Sequence, residues 1–488
     1  MIDDFFSSEE EYGETEENEL ISRYENMVKY HHAIYLSSDD YVNLFIHYTQ
    51  FYKEPFSLSD VDKKMTETVI HAGISQYPQA CLLKMFYVFY RYLTGELSAD
   101  RTVKQLKNIS IPDYERMEQG CFLIQIYRKL NALSEAGSLC SNLLQIAQTD
   151  DEKISIYWEL IFLFAKKEDI PNLIYYCEKL LTLDPQQESW LLQDLYFHLL
   201  FKPEAALLFF ESYAKIFPFS HRGWMHLGNV YILLSIYAKA ATALENAVAI
   251  HTSSNLLLSL GNVYFLWEKW DKSLECFHEA MTLSPERTDF YDDIADVYCA
   301  MGEFEMAVYY YGLSLDAVPD NVEVLTAMAV TLAADNKYEE AIDYLTRALK
   351  TNAPTIEVLL LMADYLIELD RDEEAISFYE QAIEKFPSLP DGWLSYSMYY
   401  ADAEDYTKAR LILGKALEKP IHPFNKISLI YRMANYCFLS GDYINGNMYL
   451  RIAYQTDPGN LDLFLNYDEQ TTQLPEVIDI IRELTHKY

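Results

Sequence analysis

The sequence predicts an all-α fold, a solenoid built from repeated helix pairs. One column of small residues recurs along the second half of the chain with gaps of 33, 34, 34, 34, 34 and 37 residues: Gly228, Gly261, Ala295, Ala329, Ala363, Ser397 and Ala434. A period near 34 is typical of a helix–turn–helix unit that stacks on copies of itself. Glycine (15) and proline (16) are also scarce among the 488 residues, which favours long helices and short turns.

The first segment, residues 1–25, is predicted to be a disordered acidic leader. Nine acidic residues and no lysine or arginine lie between Met1 and Ser22. Such a block repels itself and resists compaction. Two roles stay open for it: a solvating tail, or a tail that folds back on a basic patch or competes with a ligand.

Residues 26–152 have a helical pattern but little repeat character. Aromatic residues crowd this region, as in the run from Phe86 to Tyr92. We expect two to four degenerate helix pairs that form the irregular N-terminal end of the same solenoid. A separate small helical domain is the alternative.

The clear repeats occupy residues 153–460. On the first helix of one unit, the packing residues recur at i, i+3, i+4 and i+7: Trp224, Leu227, Gly228 and Tyr231. This spacing places them on one helix face, and the glycine lets the second helix approach closely. Prolines that end the second helix and set the next turn recur at Pro185, Pro218, Pro285, Pro319, Pro387 and Pro458. Residues 461–488 are predicted to form C-terminal capping helices.

This pattern resembles the tetratricopeptide repeat family. Seven strong units start near residues 221, 254, 288, 322, 356, 390 and 427, and two weaker units precede them. The resemblance implies a right-handed superhelix of antiparallel A and B helices, whose A helices line a concave groove. It also implies a protein–protein interaction scaffold that binds a protein or peptide segment. The alternative is a regulatory or sensor subunit of a larger complex, with the acidic leader as a movable autoinhibitory tail.

Polar residues beside the packing face of the A helices are the candidate groove residues. An asparagine amide can donate to and accept from an extended peptide backbone, whereas aspartates, with Glu323 and Glu357 nearby, favour a basic ligand. Solvated polar positions or hydrogen bonds between helices are the alternative interpretation. The candidates are Asn229, Asn262, Asp289, Asp292, Asp293, Asp296, Asp364 and Asn435.

Charge and composition exclude several classes of function. A net charge of −37 repels phosphate backbones, so we expect no nucleic-acid partner. No apolar window is long enough to span a bilayer, no secretory signal begins the sequence, and the seven cysteines form no CxxC pair, with several at helix positions expected to be buried. These features predict a cytoplasmic protein with free thiols. The oligomeric state stays open.

The sequence offers no catalytic or cofactor motif. It contains no Gly-rich phosphate loop, no GxSxG and no HExxH. The eleven histidines are scattered, and His31 and His32 have no partners at ligand spacing. We therefore predict that the chain is not an enzyme and has no cofactor and no metal site.

Overall fold

The computed structural model describes residues 20–25, 36–49, 51, 62–112, 115–351 and 355–485. Among these residues the regular structure is α-helix with short 3-10 turns, and no strand occurs there. The chain forms two compact units, Met1–Leu256 and Leu257–Tyr488. In the part of the chain that is described, no helix combines the length and the apolar character needed to cross a bilayer.

In the first unit, a short helical segment at 20–25 precedes a series of longer helices. Neighbours along the chain pack against each other. Their bounds are α1 Ser38–Thr49, α2 Lys63–Gln76, α3 Cys81–Leu93, α4 Ala99–Lys107, α5 Arg116–Lys129, α6 Leu133–Ile146, α7 Asp150–Lys167, α8 Ile170–Leu183, α9 Glu188–Leu199, α10 Pro203–Ile216, α11 His221–Leu233 and α12 Tyr237–Ile250.

The second unit repeats this arrangement. In both units the first helix of some pairs also contacts the first helix of the next pair, as α5 does with α7 and α21 with α23. The helices of the second unit are α13 Ser254–Leu266, which begins in the last residues of the first unit, α14 Trp270–Leu283, α15 Phe290–Met301, α16 Phe304–Ala317, α17 Val322–Ala334, α18 Tyr338–Leu349, α19 Ile356–Glu368, α20 Asp372–Lys385, α21 Pro390–Asp402, α22 Tyr406–Leu417, α23 Pro423–Leu439, α24 Tyr443–Thr456, α25 Asp462–Leu465, α26 Glu469–Thr472 and α27 Pro475–Thr485. The predicted all-α architecture of helix pairs is confirmed.

The small residues stand where the sequence pattern placed the helix contacts. A Cβ added to Gly228 would lie 2.8 Å from Cγ of Leu244 on the paired helix. A Cβ on Gly261 would be too close to three atoms of the Phe277 ring. Ala240 is fully buried on the facing helix. Short side chains therefore set how closely the two helices of a pair approach.

In most pairs the turn between the two helices contains one residue in the left-handed conformation, with φ of 56° to 60° for non-glycine residues and 78° for glycine in the later pairs. At 302 and 441 that residue is glycine, which adopts this φ without Cβ strain. The full set in the repeat region is Glu168, Ser235, Glu268, Gly302, Asn336, Asp370, Glu404 and Gly441.

One apolar core joins the N-terminal helices to the first repeats. It extends from Tyr24 to Leu163 and includes the stacked rings of Phe45 and Phe86, whose centroids are 4.6 Å apart. This core crosses the predicted limit at 152/153. The domain assignment of residues 26–152 and its alternative, a separate small helical domain, stay predictions. The leader predicted for 1–25 extends too far, because Tyr24 is fully buried. Residues 1–19 lie outside the described residues, and the other limits stay predictions.

Candidate functional site

A groove of about 520 Å³ lies along the first helices of consecutive pairs in the second unit. We call it the acidic groove, because each of three consecutive pairs contributes a carboxylate to it: Asp296, Glu323 and Glu357. The residue directly after the small packing residue therefore faces the groove in two consecutive pairs, as Asp296 and as Val330. The remaining lining residues are Phe265, Cys299, Ala300, Tyr311, Val322, Thr326, Ala327, Thr331 and Thr355.

Helix capping fixes two of these carboxylates. Asn321 caps α17, where its Oδ1 accepts a hydrogen bond of 3.1 Å from the backbone N–H of Glu323. Thr355 caps α19, where its Oγ1 accepts from the N–H of Val358 at 3.4 Å. Glu323 and Glu357 therefore occupy the first helical turns, where the helix dipole favours negative charge.

The third carboxylate is held from the second helix of its own pair. The Tyr311 hydroxyl donates to Oδ1 of Asp296, while Asp296 keeps an exposed face. Burial raises the pKa of Asp296, and this hydrogen bond opposes that rise. Two pairs further on, the Tyr379 hydroxyl donates to Oδ1 of Asp364 at 2.6 Å. For the candidate groove residues, hydrogen bonds between helices were one of the alternative interpretations. Such a bond is present at both Asp296 and Asp364.

The predicted run of aspartates lies at the start of α15. Asp289 is exposed and forms an ion pair with Arg287. Asp292 and Asp293 are half-buried. Burial first, and then the carboxylates of Asp296, Asp289 and Asp292, raise the pKa of Asp293 to about 7. An approaching cation would oppose this rise and favour the ionised form of Asp293.

The three candidate asparagines occupy different environments. Asn229 is half-buried on α11 in the first unit, and Asn262 is exposed on α13. Asn435, in contrast, has 0% exposure, and its amide Nδ2 lies 3.5 Å from the carbonyl oxygen of Phe464. Because α25 packs on α23, the Asn435 side chain does not line an open groove. Its assignment as a groove residue is wrong for that reason.

Several groove residues were missed at the sequence level. Thr326, Thr331, Thr355 and Cys299 line the acidic groove. Thr326 and Thr331 each donate to a carbonyl oxygen one turn earlier in α17, at 2.7 and 2.9 Å. Val322, Thr326 and Val330 recur every fourth residue along α17, which places them on one helix face. That spacing is the signal that could have found Thr326. The cysteines expected in the interior are buried at Cys140, Cys177, Cys276 and Cys437.

Comparison with protein families fits the repeat geometry. Residues 332–398, which run from the end of α17 into α21, match the family model described as tetratricopeptide repeat. The chain therefore contains tetratricopeptide repeats in this region. This family's architecture supports a role as a protein–protein interaction scaffold in general terms.

A curated relative resembles part of this chain. The BBSome complex member BBS4 of Bos taurus is 28% identical over 132 residues, which cover 26% of this chain and 25% of the relative. The match thus spans about a quarter of the length of that relative.

Solved structures also resemble parts of the repeat array. The C-terminal part of a TPR repeat-containing protein from Cytophaga hutchinsonii is 16% identical, with 57% of this chain and 98% of that chain covered and a TM-score of 0.36. PilF of Pseudomonas aeruginosa is 17% identical, with 44% of this chain and 97% of that chain covered and a TM-score of 0.32.

Proposed function

We propose that this protein is an interaction scaffold rather than an enzyme, and that its acidic groove binds a basic, extended segment of a partner protein. The observation that carries this proposal is the placement of Asp296, Glu323 and Glu357 in one groove of about 520 Å³. One carboxylate from each of three consecutive pairs gives a ladder of acceptors suited to an extended chain. Asp289, Asp292 and Asp293 add negative charge on α15 beside it.

The chemistry of the groove favours lysine and arginine. Ionised carboxylates form charge-assisted hydrogen bonds with ammonium and guanidinium groups, which are stronger than neutral ones. The net charge of −37 adds a long-range field that attracts basic partners and repels nucleic acid. Binding of this kind weakens as salt screens the charges. A cytoplasmic location stays a prediction.

A charge-reversal experiment on the full chain tests this function. The probe is a fluorescein-labelled nonapeptide of alternating lysine and serine, followed by fluorescence anisotropy. Glu323→Lys with Glu357→Lys is expected to weaken binding at least tenfold, which is about 1.4 kcal/mol.

The matched control carries the same change in net charge outside the groove. Glu373→Lys with Glu384→Lys alters two exposed positions on α20, and we expect it to change the affinity less than twofold at 150 mM salt. Equal losses from the two double variants would show that only the overall charge attracts the peptide, and the groove would then not be the site.

The second candidate is a regulatory subunit of a larger complex. The resemblance to a protein named as a member of the BBSome complex favours this alternative. In it, the acidic leader competes with the basic segment for the groove. Removal of residues 1–19, which leaves buried Tyr24 in place, then raises the affinity for the lysine–serine peptide. An unchanged affinity would leave the simple scaffold as the better account.

A further inference from the structure

A second groove, of about 550 Å³, lies in the first unit between α5 and α7, which contact each other. We call it the Trp158 groove. The side chains that define it come from one stripe on each helix: Cys121 and Phe122 with Glu118 from α5, and Trp158 with Asp151 and Glu159 from α7. It shares no residue with the acidic groove, and no candidate residue from the sequence lies in it.

The inner end of the Trp158 groove is a fixed polar floor. The Glu159 side chain is only 9% exposed and lies 3.3 Å from Nη1 of Arg128, whose side chain is 11% exposed. Oε1 of Glu159 also accepts a hydrogen bond of 2.8 Å from Nε2 of Gln125. Removing one member of such a buried pair leaves an uncompensated charge. The floor is therefore structural, and it holds the Glu159 carboxylate in place.

An aromatic wall continues from this floor. The Arg128 guanidinium lies 4.9 Å from the centroid of the Phe162 ring. Phe162 stacks on Trp158, with the ring centroids 5.5 Å apart and the planes 28° apart. Trp158 is half-buried, so part of its indole surface stays available on the groove side. The Phe162 ring thus already contacts the Arg128 guanidinium, and the Trp158 ring offers a second aromatic surface.

The outer rim is negatively charged. Glu118 and Asp151 are exposed on opposite sides of the groove, and the residues that line it include no lysine or arginine. Lys153 lies on the same helix as Asp151, but its Nζ pairs with Asp150 at 2.8 Å. Burial first, and then Glu159 and Glu118, raise the pKa of the Cys121 thiol to about 12. The groove therefore combines an apolar, aromatic interior with an uncompensated acidic rim.

We propose that the Trp158 groove binds a segment of a partner protein in which arginine alternates with an apolar side chain. The planar guanidinium can stack on the Trp158 indole and reach the Glu118 and Asp151 carboxylates, whereas an ammonium group only supplies point charge. The apolar neighbour fills the space beside Phe122 and Cys121. This site is independent of the acidic groove, so either proposal can fail without the other.

The test uses the full chain and two fluorescein-labelled nonapeptides, one of alternating arginine and leucine and one of alternating lysine and leucine. We expect the arginine peptide to bind at least fivefold more tightly in an anisotropy titration. Glu118→Lys with Asp151→Lys is expected to weaken its binding at least tenfold. Trp158→Leu, which keeps an apolar side chain, is expected to reduce the preference for arginine over lysine to less than twofold.

Two controls make the result decisive. Glu178→Lys with Glu204→Lys alters two exposed positions on α8 and α10 and is expected to change the affinity less than twofold. The acidic-groove variant, Glu323→Lys with Glu357→Lys, is expected to leave the arginine peptide bound. Circular dichroism confirms folding, and Glu118→Gln with Asp151→Asn replaces any reversal variant that unfolds.

The inference is overturned if the control on α8 and α10 weakens binding as much as Glu118→Lys with Asp151→Lys does, or if Trp158→Leu leaves the arginine preference intact. It also fails if binding is lost only in the Glu323 and Glu357 variant. That last outcome would place the peptide in the acidic groove, and the proposed function would still stand.

Discussion

The Tyr379 hydroxyl donates a hydrogen bond of 2.6 Å to Oδ1 of Asp364, from the second helix of a pair to the first. Tyr311 makes the same bond to Asp296, again across fifteen residues of sequence. Each bond fixes a carboxylate that follows a small packing residue. It also gives the tyrosine hydroxyl a partner at the edge of the helix interface. A single contact thus links the packing of a helix pair to the charge on its exposed face.

Removing this hydroxyl should destabilise the protein and change the charge of the aspartate. Tyr379→Phe is expected to lower the free energy of unfolding by about 1–2 kcal/mol, because Asp364 loses a charge-assisted partner. The hydrogen bond lowers the pKa of Asp364 against the effect of burial, so that pKa should rise further in the variant. Urea unfolding and carboxyl NMR titration measure the two effects. Tyr309→Phe, at an exposed tyrosine, should change stability by less than about 0.5 kcal/mol.

A methyl group at the close helix contact should be costly. In Gly261→Ala the new Cβ would meet the Phe277 ring, and overpacking of this kind costs about 1–3 kcal/mol. Gly312→Ala is the matched control, because the same methyl on α16 meets open space. There alanine should stabilise the helix by up to about 1 kcal/mol. Thermal unfolding of the two variants should give melting temperatures that shift in opposite directions.

The stability of the second unit should depend on pH through Asp293. Its pKa is about 7 in the folded protein, above the value near 3.9 of an unperturbed aspartate. The folded state therefore binds the proton more tightly, and ionisation destabilises the fold progressively as pH rises from about 4 to 7. Asp293→Asn should add roughly 1–2 kcal/mol at pH 8 and little at pH 4.5. Urea unfolding across this range is the measurement, with Glu373→Gln as the exposed control.

If the Asn variant is no more stable than the wild type at pH 8, the buried carboxyl is not the group that sets this pH dependence. Proton release on binding of the lysine–serine peptide gives an independent check. A cation beside Asp293 favours its ionised form, so the wild type should release more protons than the Asn variant in a weakly buffered solution.

The covering of Asn435 should depend on Phe464. This ring is fully buried and lies 6.0 Å from the Phe438 ring, centroid to centroid. Phe464→Ala should cost about 3 kcal/mol, through lost burial and a cavity next to an amide. Leu463→Ala, at the neighbouring residue with 47% exposure, should cost less than about 1 kcal/mol. Hydrogen exchange on α23 should accelerate in the first variant and stay unchanged in the second.

The repeat pattern could be predicted because its chemistry is local. Gly261 and Phe277 are sixteen residues apart in sequence. The repeat pattern alone shows that a small residue must stand at one position because a large residue stands at the other. Asp296 could be placed on the groove side by the same column. Asn435 could not, because its burial depends on α25, which carries no repeat signature and packs back on α23.

The Trp158 groove could not be predicted from the repeat pattern, for a different reason. Its floor depends on Arg128 and Glu159, which are 31 positions apart and fall in no recurring column. The aromatic residues of the N-terminal region indicated helices, but they did not indicate which faces would meet. Only the packing of α5 against α7 brings Glu118 and Trp158 to one groove.

The turns inside the helix pairs also bear on how this protein could be engineered. Ser235, Glu268, Asp370 and Glu404 adopt a left-handed backbone that glycine adopts without strain. Natural proteins often lie below their maximum stability. At these four positions the non-glycine residue in a left-handed conformation is one reason. Since each of the four lies in the turn of a different helix pair, glycine could be introduced one turn at a time. Each substitution is expected to relieve left-handed backbone strain, and the residues that line the two grooves keep their native sequence.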